Sequence, residues 1–180
     1  MDNKKSLISA AKNIRLLSTV VIIITSILLA IAVALVLPAL IFDNAVTIPS
    51  DNALHRLLEI FMSEEVVTFT DICIAYSPRI VSAVIGVVSF ALLRKYATEV
   101  GENENWFYND SFQRLLQVTI SFGLTFFVPL VLSKVIMHIL PDAFDVQLYF
   151  NFMALIVFII MAYVTVKAKK YQQKNYENEV

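Results

Sequence analysis

The stretch LLSTVVIIITSILLAIAVALVLPALIF, Leu16 to Phe42, runs 27 residues without a charged side chain. About 20 apolar residues suffice for a helix to cross the hydrocarbon core of a bilayer. This run exceeds that length, so it has room to tilt or to project past the lipid. Lys4, Lys5, Lys12 and Arg15 precede it. A basic segment followed by an apolar one also suits a cleaved signal peptide. The apolar region of a signal peptide is only about 7–15 residues long and ends at a small-residue cleavage site. The run here is longer and no convincing site follows, so it reads as a retained signal anchor.

Outward from this run, the rest of the chain repeats the pattern. Of the 180 residues, 58% are hydrophobic and 16% charged, and the mean hydropathy is +0.73. Soluble domains carry about 25% charged residues, and a surface so poor in charge needs lipid as its solvent. Three further spans are predicted, giving approximate bounds of 16–42, 72–94, 114–138 and 148–168. The second is the least regular, because reaching membrane length requires Ile72 to Pro78 and places Arg79 within it. The whole chain, 1–180, then forms a single membrane domain. It has an outer loop at 43–71, an inner loop at 95–113 and a polar tail at 169–180.

Orientation follows from Lys and Arg, which are retained on the cytoplasmic side. Eleven of the 14 basic residues, all but Arg56, Arg79 and Lys134, fall before span one, at or between the facing ends of spans two and three, or at or after the end of span four. That alternation predicts both termini inside. Abundant Lys, Asn and Ile, with only three Gly, fit a bacterium with an AT-rich genome, and the expected location is its cytoplasmic membrane.

In the outer loop, Leu54, Leu57, Leu58 and Phe61 recur at helical spacing. A short amphipathic helix is expected from Asp51 to Met62, on the membrane surface or sealing the helices. In the inner loop, Gly101 suits a helix stop. Asp110 with Gln113 resembles a capping box. Trp106, Phe107 and Tyr108 are expected at headgroup depth. Glu99, Glu102, Glu104 and Asp110 lack the spacing of a calcium loop and read as a solvated acidic loop.

Helices in lipid associate through small residues. The stripes Ser26, Ala30, Ala34 in span one, Ser82 and Gly86 in span two (with Ser89 nearby), and Thr119 and Gly123 in span three are expected to face the interior. Pro129 cannot donate to the Thr125 carbonyl and predicts a kink. Pro38 and Pro78 are expected at helix boundaries.

Polar groups cluster toward the predicted outer half. Charges within spans are expensive and default to a functional hypothesis. Arg79, Asp71, Lys134, His138, Asp145 and Asn151 are therefore a candidate outward-facing polar pocket. Arg79 snorkelling to the headgroups is the plainer alternative. The two histidines, His55 and His138, lack metal-motif neighbours, and Cys73 is alone. No nucleotide loop or nucleophile elbow occurs, so no cofactor, metal or nucleic-acid partner is expected.

The segment Leu93-Arg94-Lys95, then Gly101, an aromatic at Phe107 or Phe112, and Arg114-Leu115-Leu116 resembles a family of small four-helix bacterial integral membrane proteins of unknown function. The acidic run Glu102-Asn103-Glu104-Asn105 and the lysine-rich tail depart from that pattern. The resemblance implies an all-α polytopic transmembrane four-helix bundle and a bacterial inner membrane, and transfers no site residue. The expected function is a non-enzymatic accessory, sensor or regulatory protein, with immunity or stress protection among its forms. Its partners would be the lipid bilayer and another membrane protein or a second copy. The alternative is a small oligomeric transporter or channel with its site around Arg79.

Overall fold

A computed structural model describes residues 2–41, 69–108, 110–139 and 149–179. The expected outer helix, Asp51 to Met62, and the pocket candidate Asp145 lie outside these residues. The described chain is all-helical: α1 (Asp2–Ile41), α2 (Phe69–Asn103), α3 (Ser111–Ile139) and α4 (Phe152–Glu179). All four are long and apolar enough to cross a membrane, which suggests a multi-pass membrane protein. In such a solvent a helix is favoured because it satisfies every interior backbone group within its own segment.

The main contacts run in chain order, α1 on α2, α2 on α3 and α3 on α4. One end of the assembly, here called basal, gathers the start of α1, the 104–110 connection and the end of α4. Lys4 pairs with Glu104, and the rings of Phe107 and Tyr171 lie 5.4 Å apart. The apolar core sits toward this end. It joins Ala11 of α1, Tyr96 and Val100 of α2, Leu115, Val118 and Phe122 of α3, and Met161 and Ala168 of α4.

Each buried seam follows helical spacing. On α2 it reads Pro78, Ser82, Gly86, Ser89, and on α4 Ala154, Met161, Thr165, Ala168. A Cβ built on Gly123 of α3 would lie 3.1 Å from the Phe158 ring, so α3 and α4 meet closely there. A Cβ on Gly86 would meet Thr125 Cγ2 at an ordinary 3.7 Å.

Several expectations are corrected. Ser26, Ala30 and Ala34 are exposed. Among the described residues of α1, Ala11 and Ser18 are buried, seven residues apart and about a third of a turn away from that stripe. The contact with α2 includes a close approach near the basal end, where Ala11 faces Gly101. Gly101 does not stop α2, which continues to Asn103. Glu104 takes the left-handed conformation just past the end, with φ 52°.

Pro78 does not mark a boundary either, because α2 begins nine residues earlier at Phe69. Pro78 has no N–H to give the Ile74 carbonyl. The Ser77 hydroxyl donates to that carbonyl instead, at 2.8 Å.

Candidate functional site

The second proline inside a helix, Pro129, organises the polar groups of the distal half. It is buried, and it leaves the Thr125 carbonyl without its usual helical donor. Across the seam, the Ser82 hydroxyl of α2 donates to that carbonyl at 3.4 Å. Ser82 Oγ in turn accepts a bond from Asn151 Nδ2 at 3.0 Å. Asn151 precedes α4 and caps it, its Oδ1 accepting the Ala154 N–H at 3.0 Å. A relay from Asn151 through Ser82 to Thr125 therefore ties three helices around one orphaned carbonyl. Beyond the proline, the Ser133 hydroxyl donates to the Pro129 carbonyl at 2.8 Å, and its oxygen accepts the Tyr149 N–H at 3.3 Å.

Two hydroxyl pairs lie nearer the middle and the basal half. Ser89 Oγ and Thr125 Oγ1 are 3.0 Å apart, and Thr119 Oγ1 and Thr165 Oγ1 are 2.9 Å apart. All four also reach carbonyls of their own helices: Ile85, Ser121, Leu115 and Met161 respectively. Each pair has two protons for three contacts. When the bond across the seam forms, only one of the two carbonyls keeps its donor. These pairs are helix-to-helix fasteners that the sequence indicates only in retrospect, through Thr165 falling opposite Thr119.

Of the six pocket candidates, Asn151 is thus engaged in capping α4 and holding Ser82. Arg79 follows Pro78 on α2 and is exposed. Lys134 and His138 stand one turn apart on the exposed side of α3, away from the seam where Asn151 acts. Asp71 lies in the first turn of α2. Ser82, Gly86, Thr119 and Gly123 are buried. Among the described residues, no three His, Cys, Asp or Glu side chains gather closely enough to share a metal ion.

In the basal connection Glu102, Glu104 and Asp110 are exposed, as expected of a solvated acidic segment, but Glu99 is not. Glu99 is largely buried between two partners, taking the Tyr108 hydroxyl at 2.5 Å and Arg114 Nε at 3.2 Å on the same oxygen. Burial, and then the bond to Glu99, hold the Tyr108 phenol well above its ordinary range. Tyr96 donates its hydroxyl to the Trp106 carbonyl at 2.8 Å and stacks on Tyr108. Trp106, Phe107 and Tyr108 all pack against the core. Asp110 occupies the cap position of α3, its carbonyl accepting the Arg114 N–H. The next residue, Ser111, has a buried hydroxyl with no partner among the described residues. Compared with known proteins, the chain matches no family model, no curated protein and no solved structure.

Proposed function

We propose that this is a non-enzymatic accessory or regulatory protein of a bacterial cytoplasmic membrane. It is a four-helix bundle with the basal end inside, and it acts by binding another membrane protein or a second copy of itself. The orientation is supported by the basic residues: those before Leu16, Arg94 and Lys95 toward the end of α2, Arg114 in the first turn of α3, and those after Val166 all belong to the basal end.

The observation that carries the functional reading is the position of α1. It lies at the edge of the helix row, and only 6% of its apolar window is buried, although it is the most apolar of the four by mean hydropathy. Its exposed side bears Ser26, Ala30 and Ala34, small residues that let another helix approach closely. The interior polar groups, by contrast, are engaged in holding α2, α3 and α4 together.

Co-purification of the full chain from native membranes in mild detergent tests this. A stoichiometric partner or a defined oligomer is expected, and it should be lost in Ser26→Leu with Ala30→Leu while the melting temperature is unchanged. A chain that stays monomeric and partnerless across mild detergents would count against it. Solute flux in proteoliposomes that disappears in Arg79→Ala would replace it with the transporter reading.

A further inference from the structure

We propose that the seam between α1 and α2 at the basal end is a binding site for one anionic phospholipid. Two adjoining hollows, of about 290 Å³ and 430 Å³, lie along this seam and share Thr98 and Glu102 as walls. Lys12 and Arg15 of α1 line the first, and Arg94 and Lys95 of α2 line the second. All four are exposed, and none is in an ion pair among the described residues.

The carboxylates nearby do not neutralise them. Glu99 is held by Arg114 and Tyr108. That leaves Glu102 against four cations. Short residues floor the groove: Ala11, Ala97 and Gly101 line the first hollow, and Ala91 the second.

The shape of the groove selects a lipid over a free anion. Ile22 and Ala91 form its distal end and belong to the apolar runs of α1 and α2. Ile8 and Ala11 continue an apolar wall past the charges. The groove thus has a cationic band where the helices leave their apolar runs and an apolar floor beside it. A phosphate diester would sit among Arg15, Arg94 and Lys95, with an acyl chain running along Ile22. Basic pockets between helices on the cytoplasmic side suit such headgroups, and each basic residue near an anionic surface contributes about 1 kcal/mol. Glu102 stands at the water side, where it opposes binding.

Native mass spectrometry of the detergent-solubilised full chain, titrated with phosphatidylglycerol or phosphatidylcholine, tests the site. One phosphatidylglycerol per chain is expected, bound about ten-fold or more tighter than phosphatidylcholine. Arg15→Gln with Arg94→Gln should weaken it by about 25-fold, at about five-fold per cation. Lys169→Gln with Lys170→Gln removes equal charge elsewhere at the same end and should leave the affinity unchanged. Glu102→Gln should tighten binding by about two- to five-fold, since it removes the opposing charge.

Equal affinity for the two lipids, or equal loss in the Lys169/Lys170 pair, would overturn the site. So would displacement of the lipid by inorganic phosphate alone, which would assign a free-anion site. Should the arginine pair fail to fold, unchanged affinity in Glu102→Gln overturns the proposal by itself. The site rests on the membrane reading above, but the two fail differently. A chain that does not enter nanodiscs counts against the membrane reading, whereas one that enters and shows no headgroup preference overturns the site alone.

Discussion

Helices α1 and α3 are both apolar enough to cross a membrane, yet the chain uses them in opposite ways. In α1, 6% of the apolar window is buried; in α3, half of it is. The more apolar helix is the less buried one, the reverse of what water as solvent would produce. The difference lies in what interrupts the apolar residues. The α3 helix carries Thr119, Ser121, Gly123, Thr125, Pro129 and Ser133, all buried. The α1 helix has no glycine, and of Ser18, Thr19, Thr25 and Ser26 within its span only Ser18 is buried. Lipid tails are as apolar as leucine, so apolar surface does not choose the interior; close contact and polar satisfaction do.

The largest expected effect breaks this comparison at its tightest point. Gly123→Leu should cost about 3 kcal/mol or prevent folding, because its first added carbon already crowds the Phe158 ring. Ala30→Leu on the exposed side of α1 should stay within about 0.5 kcal/mol. Thermal melts in one detergent measure both, and equal losses would erase the distinction between core and edge. Gly86→Ala, with ordinary contact to Thr125, should cost less than Gly123→Ala, which requires the Phe158 ring to shift.

A second experiment sharpens the role of Pro129. Ser82→Ala withdraws the donor from the Thr125 carbonyl and should cost about 1–2 kcal/mol. Pro129→Ala restores an N–H within α3, so Ser82→Ala made on that background should cost far less. Additive losses in this double-mutant cycle would show that Ser82 does not serve the proline's carbonyl. The smallest effect concerns the hydroxyl pair in the basal half. Thr119→Val should cost about 0.6 kcal/mol, the usual size of an interhelical bond in a membrane. Replacing Thr165 by Val as well should add little, because both partners are then apolar. No counterpart is expected for Thr19 of α1, whose hydroxyl donates only to its own Arg15 carbonyl.

Much of the fold was legible because hydrophobic length and charge placement are properties of the chain alone. The four helices and the common end of the basic segments follow from them. The boundaries were less legible. Gly101 looked like a stop, but nothing forces an interior glycine out of a helix when its neighbours favour continuation. Glu104 ended the helix instead, in a conformation that only the backbone course reveals. The stripe on α1 failed for a rotational reason: Ser26, Ala30 and Ala34 are correctly spaced, but spacing does not say which side meets α2. Asn151 was singled out as a pocket residue. Its bonds to Ser82 and Ala154 give it a packing and capping role that depends on where α2 comes to rest. Glu99 was read as solvated because local sequence shows neither Tyr108 folding back nor Arg114 arriving from the next helix.

The sequence by itself determined that the chain makes four long apolar helices and that its basic segments share one end. Transfer of a side chain into lipid depends on its own chemistry, and helical hydrogen bonds close within a segment. Only the tertiary structure decided which helix lies at the edge and which at the centre, which hydroxyl answers which proline, and that Lys12, Arg15, Arg94 and Lys95 share one seam. Those outcomes depend on the rotation and depth of each helix against its neighbour. Close contacts such as that between Gly123 and the Phe158 ring fix both, and no single segment encodes them.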